Sequence, residues 1–248
     1  MKEIYFKTSF GKMYVRLTDL FNSKTIIWLH GWGISGETFY SFEKEFKGYN
    51  SVFLDMMGFG KSDEPNLAMT LDDYVMILRD LIISLELKDV ILVGHSFGGR
   101  IAIAYASSYE VEKVFLVSAK AFKNKKIEFR LNLLKYKIKK GFLKIFNKDK
   151  YLKLISNSGS VDYQNASIVM KETLKNIVNK DLEKNLLNIK SDVIILGSVN
   201  DRVVLYQETL KIYQLIKDSK IYPFYCSNHF LYLEEKNKFI NILKKELR

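Results

Sequence analysis

Residues 90–99 of this chain are Val90-Ile91-Leu92-Val93-Gly94-His95-Ser96-Phe97-Gly98-Gly99. The apolar run predicts a buried parallel strand, and the pattern that follows it predicts a helix. Between them lies the spacing G-x-S-x-G of a nucleophile elbow, which presents a serine on a sharp strand-to-helix turn. Such a turn is crowded two residues before and two residues after the serine, where this chain has glycine. A plain glycine-rich turn would look the same, so the rest of the chain has to discriminate.

Length and composition limit the class of protein. The 248 residues are 48% hydrophobic, which is enough for one large domain with a proper core. No apolar run is long enough to span a membrane or to resemble a signal peptide. Cys226 is the single cysteine, so we expect no disulfide, a cytoplasmic location and a buried core thiol at that position. With three histidines and no Cys/His cluster, no metal site is expected.

Strand-like runs alternate with helix-like segments along the chain. This alternation predicts an α/β fold with a mostly parallel central sheet and helices on both faces. In such sheets the functional residues lie at the carboxyl ends of the strands. The predicted strands are 2–7 and 12–17 (an antiparallel hairpin), 25–30, 51–55, 90–93, 114–118, 192–197 and 220–225. The predicted helices are 37–46, a helix capped by Thr70, 97–108, 205–216 and 230–247.

A serine nucleophile needs a base, and the base is chosen among three histidines. His30 begins a glycine loop, and His95 adjoins Ser96 on the side that points away from its exposed hydroxyl. His229 follows the last predicted strand, at the sheet edge from which it could reach Ser96. We therefore predict His229 as the base, against the alternative of an ordinary surface histidine.

The acid that orients the base is predicted to be Asp201. It lies just after the penultimate strand, and the order Ser96, Asp201, His229 is the one expected on this architecture. Asp192 lies at the wrong end of its strand. The alternative is a loop aspartate that pairs with Arg202.

Two backbone N–H groups are needed to hold an oxyanion. One is predicted to come from Phe97, which follows the serine, and the other from Trp32 in the loop His30-Gly31-Trp32-Gly33. Because glycine lets a backbone approach a ligand closely, Gly31 and Gly33 are expected to line the substrate, together with His95.

These motifs together resemble the α/β-hydrolase superfamily, in its serine esterase branch. The loop that begins at His30 resembles the oxyanion motif of the family. Residues 55–62 are similar to its D-x-P-G-x-G-x-S turn, and the elbow matches. Met57 replaces the usual proline, and Asn228 replaces the usual glycine before the histidine. Because the elbow carries serine, the branches with an aspartate nucleophile, dehalogenases and epoxide hydrolases, are disfavoured.

The resemblance implies hydrolysis of a carboxylic ester or thioester through an acyl-enzyme on Ser96. No metal or organic cofactor is required. A ligand receptor without catalytic activity is the alternative on the same fold, because a fold does not by itself give a function.

The resemblance also implies an inserted helical cap, here residues 119–190, between the two parts of a core domain, 1–118 and 191–248. From Lys120 to Ile155 there are thirteen Lys or Arg and two acids. This charge fits a solvated face, docking of an acidic carrier protein or of a phosphate-bearing substrate, or adsorption to anionic lipid. Nucleic-acid binding is not indicated, because no aromatic platform accompanies the lysines. The His-Gly-Trp-Gly motif resembles pimeloyl–acyl-carrier-protein methyl ester esterases, so such a carrier-bound ester is a second candidate substrate.

Overall fold

The computed structural model describes residues 1–123 and 166–248 of the chain. In these ranges the strands are β1 (Lys2–Thr8), β2 (Gly11–Leu17), β3 (Thr25–Leu29), β4 (Asn50–Leu54), β5 (Val90–His95), β6 (Lys113–Val117), β7 (Asp192–Ser198) and β8 (Lys220–Phe224). They form one sheet in the order β1-β2-β4-β3-β5-β6-β7-β8. β1 pairs antiparallel with β2, and β2 with β4, whereas all later neighbours are parallel. The predicted α/β fold is confirmed.

Both faces of the sheet are covered. In β3, Ile26 and Trp28 pack into the core of one face, and Ile27 and Leu29 into the core of the other. Every residue of β3, β4 and β5 is buried. This is why the central strands appear in the sequence as continuous apolar runs and not as alternating patterns.

The helices connect the strands as expected, with two differences. Among the described residues they are α1 (Leu71–Ser84), α2 (Phe97–Ala106), α3 (Ile168–Asn179), α4 (Glu183–Leu187), α5 (Tyr206–Leu215), α6 (Leu231–Glu234) and α7 (Lys236–Glu246). The Thr70 cap is confirmed as a reciprocal capping box. Asp73 N–H donates to Thr70 Oγ1, and Thr70 N–H donates to Asp73 Oδ2.

The first difference lies between β3 and β4, where residues Gly36–Glu45 form a 3-10 helix. Its buried residues are Gly36, Phe39 and Phe42, three apart. Side chains at this spacing eclipse each other in a 3-10 helix, and both rings pack on Trp28. The period of three in the sequence therefore signals the tighter helix.

The second difference is at the C-terminal end, where the predicted single helix 230–247 is two helices. The break is at Glu235, whose φ and ψ are −116° and 49°. Its carboxylate accepts the N–H of Cys226, and the neighbouring carboxylate of Glu234 accepts the N–H of Asn228. The break thus turns both acids toward the loop that precedes His229.

Arg100 of α2 joins the two described parts of the chain. Its buried guanidinium donates to the carbonyl of Lys120 (2.9 Å), to that of Ile177 (2.8 Å) and to that of Lys180. Burial lowers its pKa to about 10. The last two carbonyls belong to the end of α3, where the helix dipole favours a cation.

Most of the basic segment, residues 124–165, lies outside the described residues. The boundaries of the cap therefore remain a prediction. In residues 1–123 and 166–248, no helix has the length and apolarity needed to cross a bilayer.

Candidate active site

Ser96 stands on a strained turn between β5 and α2. Its φ of 51° and ψ of −104° lie in a region that residues other than glycine rarely adopt. A Cβ on Gly94 would lie 2.5 Å from the carbonyl oxygen of Gly98, and one on Gly98 would lie 2.1 Å from that of Leu29. The predicted crowding on both sides of the serine is therefore present.

A backbone hydrogen bond joins the elbow to the loop that follows β3. The N–H of Gly98 donates to the carbonyl of His30 across 3.0 Å. Phe97 is the first residue of α2, so its N–H has no partner within the helix and lies at the positive end of the helix dipole. The structure thus brings the Trp32 loop and the Phe97 N–H to the same strand edge. Their role as oxyanion donors remains a prediction.

His30 fixes the start of this loop. Its Nε2 accepts the N–H of Met56 at 3.0 Å, and its Nδ1 donates to the carbonyl of Gly31 at 2.7 Å. The side chain is completely buried, and burial lowers its pKa to about 4. His30 is therefore neutral and structural. It ties the loop to the turn after β4.

The Trp32 side chain is held by aromatic contacts. It meets Phe59 edge-to-face at 4.8 Å between ring centroids and Phe97 at 5.4 Å. Gly33 follows with a φ of 80°, which favours glycine. The loop is therefore fixed on both sides of the Trp32 N–H.

Asp201 and His229 form the predicted acid–base pair. Asp201 Oδ2 accepts from His229 Nδ1 across 2.8 Å, and its Oδ1 accepts the N–H groups of Val203 and Val204. Burial raises the pKa of Asp201, but the hydrogen bonds from His229 and the two backbone groups outweigh it, and the net pKa is lowered. The carboxylate is thus ionised and accepts from Nδ1–H, so that in a neutral imidazole of His229 the lone pair lies on Nε2.

His95 lies beneath His229 and not in the open site. It is only 1% exposed, and its Nε2 hydrogen-bonds to the carbonyl of His229 at 3.0 Å. The two imidazole centroids are 4.7 Å apart. Because His95 adjoins Ser96 in the chain, this contact brings His229 close to the elbow. The sequence predicts that His95 lines the substrate, whereas in the structure its ring is buried against His229 and Gly31.

Sequence reasoning missed the acids that hold the His229 loop. Glu235 accepts the N–H of Cys226 and the hydroxyl of Ser227, and Glu234 accepts from Asn228. Asn228 is not among the described residues with positive φ, so its replacement of glycine requires no left-handed backbone. The signal in the sequence was the acidic pair within the expected closing helix.

Asp55, the first residue of the turn 55–62 that resembles the family motif, holds the start of the 3-10 helix against that turn. Its Oδ1 accepts the N–H of Gly36, and its Oδ2 accepts that of Lys61, each at 2.8 Å. The turn closes without the usual proline, because the hydroxyl of Ser62 also donates to the Asp55 carbonyl. Met57 is buried in the core.

Cys226 is exposed, so the prediction of a buried core thiol is wrong. It lies in a polar groove that Asn200, Asp201, Arg202 and Asn228 also line. The reason is local: β8 ends at Phe224, and the loop after it turns outward to reach Glu235.

Parts of this sequence are similar to those of known proteins. The protein YisY of Bacillus subtilis, of the AB hydrolase superfamily, is 34% identical over 108 residues, 42% of this chain and 40% of that protein. Lipase 3 of a Moraxella species is 30% identical over 115 residues, 45% of this chain and 36% of the lipase. The matched part thus spans less than half the length of these curated relatives.

The fold is shared over a greater length. The esterase EaEST from Exiguobacterium antarcticum superposes with a TM-score of 0.74 at 23% identity, over 95% of each chain. At this identity the likeness concerns the fold alone. The model of the alpha/beta hydrolase fold family matches residues 24–161, more than half of the chain. With its eight-stranded sheet, its elbow after β5 and its Asp201–His229 pair after β7 and β8, this chain belongs to the alpha/beta hydrolase fold family.

Proposed function

We propose that this protein is a serine hydrolase that cleaves carboxylic esters through an acyl-enzyme on Ser96. One observation carries the proposal: Asp201 holds the proton of His229 on Nδ1, at 2.8 Å, beside a strained serine elbow. A structural aspartate–histidine pair would not need a neighbouring serine in a costly backbone conformation. The coincidence of the three favours nucleophilic catalysis.

In the proposed reaction, Nε2 of His229 takes the proton of Ser96 as Oγ attacks the ester carbonyl. The N–H groups of Trp32 and Phe97 hold the oxyanion that forms. The tetrahedral intermediate collapses, the C–O bond to the alcohol breaks, and His229 returns its proton to the alcohol. His229 then deprotonates a water molecule, which attacks the acyl carbon. The bond from that carbon to Oγ breaks, the carboxylic acid leaves, and His229 returns the proton to Oγ of Ser96.

The relatives support an ester substrate. Lipase 3 of Moraxella and the Exiguobacterium esterase carry names of ester-cleaving proteins. The aromatic side chains of Trp32, Phe59 and Phe97, packed edge-to-face beside the elbow, provide an apolar wall suited to an acyl group.

The first experiment is covalent labelling with a fluorophosphonate probe, followed by peptide mapping. We expect one label, on Ser96, and loss of both labelling and p-nitrophenyl ester hydrolysis in Ser96→Ala. Ser107→Ala is the matched control, because its hydroxyl donates to a carbonyl at the other end of α2. An active Ser96→Ala protein would contradict the proposal.

The two alternatives are separated by the substrate panel. Saturable ligand binding without turnover of any ester would favour the ligand receptor. Faster turnover of an acyl-carrier-protein ester than of the free methyl ester would favour the carrier-protein esterase. That function relies on the basic segment, of which residues 124–165 contain eleven Lys or Arg and three acids.

A further inference from the structure

His95 joins three parts of the candidate site. It directly precedes Ser96, its Nε2 is 3.0 Å from the carbonyl oxygen of His229, and its ring fills the space beside Gly31. Phe230 and Tyr232 enclose the ring, with centroids 5.2 and 4.9 Å away. The proposed reaction uses none of its atoms.

The hydrogen bond fixes the tautomer of His95. A carbonyl oxygen can only accept, so Nε2 must carry the proton. Nδ1 is then a bare lone pair, and it is buried with no hydrogen-bond partner among the described residues. Burial and the adjacent His229 lower the pKa of His95 to about 3. The ring therefore stays a neutral donor when His229 carries its transient positive charge.

The packing beside Gly31 leaves the ring little freedom. A Cβ at position 31 would lie 2.8 Å from Nδ1 of His95 and 3.1 Å from Cε1. The loop that carries Trp32 thus presses on one side of the imidazole, while His229 lies against another. A shift of the His95 ring would therefore move both the Trp32 loop and His229.

We infer that His95 is a positioning residue that sets the place of the His229 imidazole relative to Ser96, through its hydrogen bond to the His229 carbonyl. This inference rests on the proposed function. Asp201 fixes the imidazole by its Nδ1, and His95 fixes the backbone from which the imidazole projects. Together these two hydrogen bonds, one to the side chain and one to the main chain of His229, set the distance between its Nε2 and Ser96.

The test compares His95→Leu with His95→Gln. Leucine has a similar size but no donor, whereas the amide nitrogen of glutamine can donate from near the position of Nε2. For His95→Leu we expect kcat to fall about 10- to 100-fold while KM changes little, because misplacement of a base affects the chemical step. His95→Gln should recover most of kcat. Thermal unfolding of both variants is measured alongside.

The matched control is Tyr49→Phe. Its hydroxyl also donates to a backbone carbonyl, that of Leu247 at 2.8 Å, but before the amino end of β4, whereas His229 follows the carboxyl end of β8. Loss of this bond should lower the melting temperature and leave kcat unchanged. If His95→Leu does not fold, His95→Met provides the same comparison.

Two results would overturn the inference: wild-type kcat in His95→Leu, or equal loss in the leucine and glutamine variants. Fluorophosphonate labelling distinguishes this failure from that of the proposed function. An unlabelled wild-type protein contradicts the serine hydrolase itself. A labelled wild type with unaffected His95 variants contradicts the positioning role alone.

Discussion

The N–H of Met56 donates to Nε2 of His30 across 3.0 Å, inside a completely buried environment. Nε2 can accept this bond only while the imidazole is neutral, because Nδ1 already donates its proton to Gly31. Protonation would break the bond and place a charge in the core. Burial accordingly lowers the pKa of His30 to about 4 from an ordinary value of 6.5.

The first prediction is a loss of stability in mild acid. Below pH 6.5 the unfolded chain binds a proton at His30 and the folded chain does not until about pH 4, so stability falls as pH falls through this window. His30 contributes about 2 kcal/mol to the difference in unfolding free energy between pH 7 and pH 5, and His95 a similar amount. Urea unfolding at the two pH values measures it.

The variant His30→Gln separates this effect from other titrations. Glutamine does not titrate, so the difference between pH 7 and pH 5 should shrink by about 2 kcal/mol. Its overall stability should be lower at both pH values. If the difference between pH 7 and pH 5 is as large in His30→Gln as in the wild type, folding does not lower the pKa of His30, and the prediction is wrong.

The second prediction concerns Gly98. Its added methyl group would lie 2.1 Å from the carbonyl oxygen of Leu29, a backbone atom that cannot move aside. Gly98→Ala should therefore lose about 3 kcal/mol of stability or more. Gly48→Ala is the matched control, since no atom lies within 4 Å of its Cβ position, and should stay within about 0.5 kcal/mol of the wild type. Equal urea midpoints for the two variants would contradict the packing of the elbow.

The third prediction concerns Asp201→Asn. Oδ1 accepts two backbone N–H groups, so the asparagine oxygen will keep that place and its NH₂ will face His229. The imidazole must then carry its proton on Nε2, where it cannot act as a base. We expect kcat to fall on the order of 10³- to 10⁴-fold. Asp192→Asn is the control, because Asp192 is exposed at the opposite end of β7 and should leave ester hydrolysis unchanged.

The fourth prediction concerns the single thiol. Cys226 is exposed, so Ellman's reagent should titrate one thiol per chain in the native protein without denaturant. Cys226→Ser should abolish the reaction. If the thiol reacts only after addition of urea, Cys226 is buried in the native protein and the prediction is wrong.

The elbow could be predicted from the sequence because its geometry restricts residue identity. Gly94 and Gly98 are required by backbone atoms within 2.5 Å of their Cβ positions, and this leaves a local spacing that can be recognised. Chain order then selected Asp201 and His229, since the carboxyl ends of neighbouring parallel strands converge. Both inferences depend on local constraints or on topology.

Other features depend on contacts that no local pattern records. Glu235 interrupts a segment with good helical periodicity because its carboxylate is used by Cys226 and Ser227 of another element. The burial of His95 follows from aromatic residues more than a hundred positions away. The 3-10 helix differs from these features, because a local pattern does record it: Gly36, Phe39 and Phe42 recur with a period of three in the sequence.

Arg100 has a consequence for the evolution of this chain. By binding the carbonyls of Lys120 and Lys180 with one guanidinium, the core holds both ends of the intervening chain together. The entropy of closing a loop between fixed ends grows slowly, by about 0.6 kcal/mol for each doubling of length. We therefore expect insertions and deletions between residues 123 and 166 to cost the core little free energy, because both anchors and the buried side chains of α3 lie outside that range.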